Sequence, residues 1–327
     1  MDTDFGVMND DCTATMFALQ VPELEVLGVT CIAGNFDLNQ EVEAALRIME
    51  LIGREEIPVC AGFDQPLVHE RKDYEDLVWG KWATFQPAEP AFGKFAEKKL
   101  DPRHAVDFII EKVLEFPHEV TIVAVGPLTN VAVAMRKAPE IIDKVKEIVI
   151  MGGAIGTLPR GHGNITPSAE FNFWVDPEAA WIVMRSGAPI TLVPLNVCRL
   201  TNFKEEYYHR IVSVDTPITR LYKQYLGKYF VDPEHEIREA RIYYGLYDQI
   251  AVLAVFRREL LKTTRMYIDV DISHGSAYGA SYGYVKGNYH SGVDLFPMLE
   301  DTKQIEIVYE VDFEPFIDMY IDTLTRK

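Results

Sequence analysis

Short apolar runs rich in β-branched side chains recur along the chain as far as Pro194, and stretches with helical periodicity separate them. Leu24–Cys31 ends at Ala-Gly-Asn, and Ile57–Cys60 is brief. Val120–Val125 is bounded by Gly126-Pro127, Glu147–Met151 ends at Gly152-Gly153, and Ile190–Pro194 follows. Within Glu41–Ile52 the residues Val42, Ala45, Leu46, Met49 and Ile52 recur at spacings of three and four, and Gly53 suits the helix end. His104–Phe116 and Asp176–Arg185 also read as helices. Nearly continuous apolar strands alternating with helices predict an α/β fold, an open, mostly parallel sheet flanked by helices. Ligands gather outside the carboxyl ends of such strands, which here are rich in Asp, Asn and Gly.

From about Asn202 to Tyr244 the pattern turns helical and polar-aromatic, with Tyr207, Tyr208, Tyr222 and Tyr225 among its rings. This reads as a helical cap over the sheet. Met266–Gly292 alternates short strands with Gly and Tyr, as a hairpin region does. No repeat, low-complexity tract or linker divides residues 1–327, so one domain is expected. With 48% hydrophobic residues the chain can bury a large core. Fifty acidic side chains against 32 basic ones give a net charge of −18, which argues against nucleic acid and anionic membranes as general partners. Cys12, Cys31, Cys60 and Cys198 show no CxxC spacing and read as buried thiols in a reducing compartment. No apolar run reaches the roughly 18 residues of a membrane span. The start, Met-Asp-Thr-Asp, has no signal-like core. A cytoplasmic enzyme or binding protein is expected.

Asp2, Asp4, Asp10 and Asp11 crowd the first eleven residues, ahead of an apolar helix carrying Ala14, Met16, Phe17, Ala18 and Leu19. Carboxylates this close repel unless a cation or hydrogen-bond donors neutralise them. One reading is an exposed acidic turn with a helix N-cap at Asp10 or Asp11. The other is all-oxygen ligation of a hard cation, Ca²⁺ or Mg²⁺. No His-rich or Cys-rich ligand set supports zinc, and the spacing is not that of an EF-hand.

The run Asp2-Thr3-Asp4-Phe5-Gly6, continued by Asp10-Asp11, resembles the leading signature of the nucleoside hydrolases of the inosine-uridine-preferring type. Further blocks agree in order: Ala33-Gly34-Asn35, Val125-Gly126-Pro127-Leu128-Thr129-Asn130, Met151-Gly152-Gly153, Gly163-Asn164, Ala169 to Ala180, Val193-Pro194-Leu195-Asn196, and Tyr247-Asp248-Gln249-Ile250-Ala251-Val252. A lone Asp-x-Asp is weak; ordered blocks from Asp2 to about Val255 are specific.

The resemblance implies a Rossmann-like sheet and Ca²⁺-dependent hydrolysis of the N-glycosidic bond of ribonucleosides to ribose and free base. By motif match it implies Asp4, Asp11, Asp248 and the carbonyl of Val125 as metal ligands, with Asp4 also the general base toward water. Asp10, Asn35, Asn164, Glu170 and Asn172 match groups around the water and the sugar. It also implies a homodimer or homotetramer, a small-molecule ribonucleoside as partner, and a place in nucleoside salvage. Asp2 is expected to support the site from behind, and Trp174 and Met151 to be packing or pocket wall.

Three departures from the family pattern matter. Almost nothing precedes Asp2, so the first strand is expected either to be very brief or to be incompletely represented. Val7-Met8-Asn9 stands where a third acidic residue is often found, which could alter the loop. Where many members carry His before the last metal-binding Asp, this chain has Tyr247, and Trp79-Gly80 fills the place of another His. Aromatic rings on either side of the base favour purine ribosides; Trp79 and Trp82 read equally as a hydrophobic lid. His162, beside Gly163-Asn164, reads as a surface-loop residue. Two competing readings are a nucleoside-binding or ribose-binding protein without turnover, and a haloacid-dehalogenase-like phosphatase, whose nucleophile pair Asp2-x-Asp4 faintly resembles.

Overall fold

Strands whose side chains are buried on both faces lie at the centre of the sheet, and Glu147–Met151 is the plainest case, with its last four residues buried. The computed structural model describes residues 1–68, 89–227, 230, 245–285 and 303–326. The strands are β1 (Asp2–Thr3), β2 (Val29–Cys31), β3 (Val59–Ala61), β4 (Thr121–Ala124), β5 (Glu147–Met151), β6 (Ile190–Val193), β7 (Leu261–Val270), β8 (Ser281–Tyr284) and β9 (Ile305–Val311). They form one sheet in the order β3-β2-β1-β4-β5-β6-β9-β7-β8. Pairing is parallel from β3 through β9 and antiparallel at β9–β7 and β7–β8. The expected open, mostly parallel α/β sheet is therefore present.

Alternate residues of one strand enter different apolar clusters. Ile122 and Ala124 of β4, with Ile148 and Ile150 of β5, pack with Val131, Val183 and Ile307. Val123 and Val149 pack instead with Phe17, Met49, Val252 and Phe316. Helices thus cover both faces, which continuous apolar strands require. Successive strands run from β1 to β2 and β3 on one side and from β4 to β6 on the other. The carboxyl ends of β1 and β4 consequently flank the switch point where an open sheet forms its crevice.

The strand expected over Leu24–Cys31 is confined to Val29–Cys31. Its ladder needs neighbours, and β1 pairs only Asp2 with Thr30 and Thr3 with Cys31. Leu24–Gly28 instead lines a largely apolar groove of about 390 Å³ together with Met1, Phe108 and Thr121–Val123. The Met1 amino group donates to the Gly28 carbonyl at 3.0 Å at the end of that groove.

The polar-aromatic region contains helices Glu205–Val212 and Pro217–Leu221 and a π-helical turn at Tyr222–Leu226. Tyr207 meets Phe313 edge-on, and the Tyr222 and Tyr320 hydroxyls lie 2.5 Å apart, so this region packs on the C-terminal helix Phe313–Leu324. The expected hairpin is the antiparallel β7–β8 pair. All four cysteines are buried and free. Among the described residues no helix is long and apolar enough to cross a membrane.

Candidate active site

The six-residue loop after β1, residues 4–9, turns back to start helix α1 (Asp10–Gln20). Asn9, rather than Asp10 or Asp11, is the N-cap: its Oδ1 accepts from the N–H groups of Cys12 at 3.0 Å and Gly6 at 3.1 Å. Met8 takes a left-handed conformation (φ 58°) and is buried, so the departure at Val7-Met8-Asn9 is absorbed by a turn and an apolar contact. Asp10 and Asp11 occupy the first turn of α1, where exposed N–H groups favour negative charge. Asp11 is only 2% exposed, which excludes a merely solvated acidic turn.

Asp4 lies at the carboxyl end of β1 and is 1% exposed. The turn after β2 grips it. Asn35 donates its main-chain N–H to Asp4 Oδ2 at 2.9 Å, and its Nδ2 donates to the Asp4 carbonyl at 3.1 Å and to Asp11 Oδ2 at 3.2 Å. Gly34 permits this approach, since a Cβ there would sit 2.3 Å from Asp4 Oδ2. Thr3 Oγ1 and Asn9 Nδ2 donate to the two oxygens of Asp11 at 2.6 and 2.9 Å. Asp4 Oδ1 remains buried with no hydrogen-bond partner among the described residues.

Asp248 enters from the first turn of the helix Tyr247–Phe256. One carboxylate oxygen each from Asp10, Asp11 and Asp248 lies within 4.8 Å of the others. Among the described residues this close acidic set contains Asp10 where the motif match put Asp4; Asp4 adjoins the set through Asp11. Burial, and then the neighbouring carboxylates, push Asp4 and Asp248 well above the usual carboxylate range. Burial raises Asp11 to about 8, with the Asp10 charge adding to it, and raises Asp10 to about 6. Three buried acids and the partly buried Asp10, one oxygen without a partner and, among the described residues, no Lys or Arg hydrogen-bonded to them match the donor chemistry of a hard cation.

The other expected site residues divide into two groups. Asn172 is buried beside the cluster, and its Nδ2 donates to the Val125 carbonyl at 2.7 Å and to the Met151 carbonyl at 3.2 Å. Glu170 caps the short helix Phe171–Val175. Its carboxylate accepts from Asn172 N, Phe173 N and Gly153 N at 2.8, 3.1 and 2.8 Å. Burial raises it to about 6, with the Asp10 charge a further contribution. Tyr247 is partly buried, and burial pushes its phenol up to about 12. Asn164, by contrast, is exposed on a loop where its Oδ1 accepts from Phe171 N at 2.9 Å. His162 is likewise exposed, its ring bonded to the Gly163 carbonyl. Trp79 and Trp82 lie outside the described residues.

Two residues that sequence patterns gave no role carry much of the local structure. Asn130 is wholly buried. It donates to Asp2 Oδ1 at 2.9 Å and to the Cys31 carbonyl at 3.1 Å, and accepts from Phe63 N at 3.1 Å, linking β1 to the end of β2 and to the segment following β3. Thr30 adds a 2.6 Å bond to Asp2 Oδ1, consistent with Asp2 lying behind the site rather than in it. Glu41, also wholly buried, faces Asp4 and Asp11 from helix α2 (Leu38–Leu51). Its position in a helical first turn resembles an ordinary dipole-favourable acid, and only the absence of exposure distinguishes it.

Comparison with known proteins identifies the family. A sequence model described as inosine-uridine preferring nucleoside hydrolase matches residues 1–318. The pyrimidine-specific ribonucleoside hydrolase RihB of Shigella flexneri is 34% identical over 276 residues, covering 83% of this chain and 82% of that protein. RihB of an Escherichia coli strain is 34% identical over 284 residues, covering 85% and 84%. Among solved structures, the plant nucleoside hydrolase PpNRh1 superposes with a TM-score of 0.81 at 29% identity, covering 100% of this chain and 98% of that one. The purine-preferring ribonucleoside hydrolase of Gardnerella vaginalis gives 0.79 at 28%, covering 99% and 96%. A match over nearly the whole chain makes this protein a ribonucleoside hydrolase of the inosine-uridine preferring nucleoside hydrolase family.

Proposed function

We propose that the chain hydrolyses the N-glycosidic bond of ribonucleosides in a Ca²⁺-dependent reaction, with Asp4 as general base and purine ribosides slightly favoured. The observation that carries this reading is the partnerless Asp4 Oδ1 beside the Asp10, Asp11 and Asp248 carboxylates. Asp4, Asp11, Asp248 and the Val125 carbonyl would hold the ion, with Asp10 close enough to share it or to meet a ribose hydroxyl. When bound, Ca²⁺ would neutralise the cluster and lower the pKa of a water there.

Asp4 is the residue suited to take that water's proton. Asn35 occupies its Oδ2, which orients the carboxylate and leaves Oδ1 as the free acceptor. Asp10, Asn164, Glu170 and Asn172 would hold the sugar hydroxyls. Glu170 and Asn172 are already fixed by backbone bonds, so they lose little freedom on binding. Positive charge develops on the sugar as the base departs, and the buried carboxylates stabilise it. Water attacks directly, in contrast to the paired-carboxylate scheme of most glycosidases. A deoxyriboside would leave buried polar groups unpaired and should react poorly.

Tyr247 supports the base preference. Its phenol stays protonated at neutral pH, so it offers a ring face and a hydrogen-bond donor rather than an imidazolium acid. The relatives differ in their printed preferences, pyrimidine for RihB and purine for the Gardnerella enzyme. The further reading is of one unit over residues 1–327, acting as a homodimer or homotetramer in cytoplasmic nucleoside salvage.

The test is ribose release from inosine, guanosine, adenosine, uridine, cytidine, nicotinamide riboside and a deoxynucleoside, with Ca²⁺ and after exhaustive chelation. Ca²⁺-dependent release that is fastest from purine ribosides supports the whole reading. Release mainly from uridine keeps the reaction and removes the base preference. Nucleoside that binds but is never cleaved favours a binding protein.

A further inference from the structure

Three consecutive main-chain amides in the turn after β2 alternate between two buried carboxylates. Gly34 N and Phe36 N donate to Glu41 Oε1 at 3.1 and 2.9 Å, and the amide between them, Asn35 N, donates to Asp4 Oδ2 at 2.9 Å. Glu41 reaches back to this turn from the start of α2. It is not needed as the helix cap, because Asp37 already caps α2 through Asn39 N at 3.0 Å. Its burial is costly: it is wholly inaccessible, and Oε2 has no hydrogen-bond partner among the described residues. The turn has no slack toward Asp4, since even a Cβ on Gly34 would collide with that carboxylate. Any displacement of the turn is therefore passed to Asp4 and, through Asn35 Nδ2, to Asp11.

We infer that Glu41 is a positioning residue for the hydrolytic reaction, holding the Gly34–Phe36 turn so that Asn35 aims Asp4 Oδ1 at its proton. The inference rests on the role proposed for Asp4. Glu41 touches neither substrate nor water; it acts through two amides, and it does so as a hydrogen-bond acceptor rather than as a charge. Glutamine at this position keeps the acceptor oxygen, and alanine removes it.

Two readouts test it. In amide hydrogen exchange on the Ca²⁺-loaded protein, residues 34–36 should be protected in the wild type and in Glu41→Gln, and should exchange at least tenfold faster in Glu41→Ala. In steady-state ribose release, Glu41→Ala should lose at least tenfold in kcat with KM within about threefold, and Glu41→Gln should stay within about threefold of wild type. Unprotected 34–36 amides in the wild type would overturn the inference even if Glu41→Ala fails to fold. So would Glu41→Ala with wild-type kcat, or Glu41→Gln as slow as Glu41→Ala. A wild-type protein inactive on every riboside would sink the hydrolase reading instead, and the exchange rates alone would then decide whether Glu41 holds the turn.

Discussion

The side-chain amide of Asn172 donates to the main-chain carbonyl of Val125 at 2.7 Å, joining the residue expected to hold sugar to the carbonyl expected to face the metal. The second donor contact, to Met151, ties the carboxyl ends of β4 and β5 together. Asn172→Ala should cost about 1–3 kcal/mol of stability by leaving buried carbonyls unpaired. Asn172→Asp should be worse than alanine, because it sets a carboxylate oxygen against two carbonyl oxygens. Thermal unfolding of the two variants checks this; Asp more stable than Ala would contradict it.

Chelation should make stability depend on pH in a definite direction. Without a cation, Asp10 and Asp11 have folded pKa values of about 6 and about 8, above their ordinary 3.8, and Asp4 and Asp248 are raised too. The folded state then binds more protons than the unfolded state, so stability falls as pH rises from about 4 to about 8. Ca²⁺ removes the need for those protons. The gap in melting midpoint between Ca²⁺-loaded and chelated protein should therefore widen from pH 5 to pH 8. A constant or narrowing gap would contradict the cluster's role.

Asn130 ties β1 and β2 to the segment after β3 and should behave as a structural residue. Asn130→Ala removes two donated bonds and one accepted bond at a wholly buried position, for an expected loss of about 2–4 kcal/mol. Denaturant unfolding measures it. A loss below about 0.5 kcal/mol would show that the network relaxes around the gap.

Tyr247 should matter through its ring. Tyr247→Phe keeps the face and should hold purine riboside kcat/KM within about threefold, whereas Tyr247→Ala should lose about tenfold, the size of one aromatic contact. Equal losses in both variants would point to the hydroxyl instead.

What the sequence disclosed follows from how local each signal is. β5 was legible as Glu147–Met151 because burial on both faces leaves an unbroken apolar run. Leu24–Cys31 carries the same signal, yet only Val29–Cys31 finds partners, because strand length depends on the neighbouring β1. The acids of the first eleven residues were legible from crowding and motif together. That Asp248 joins them was legible only through the motif match, since it arrives from a distant helix; that Asp10 stands in the close set with Asp11 and Asp248 was not. Glu41 was invisible: a Glu in a helical first turn is ordinary, and only tertiary packing turns it inward onto residues 34 and 36.

The most direct measurement is ribose release by wild type and Asp4→Ala, each saturated with Ca²⁺ and checked for folding by circular dichroism. Asp4→Ala is expected to keep the fold and to lose at least about a thousandfold in kcat, since both the base and a ligand oxygen are gone. A folded Asp4→Ala protein turning over within tenfold of wild type would remove Asp4 from the chemistry and the mechanism with it.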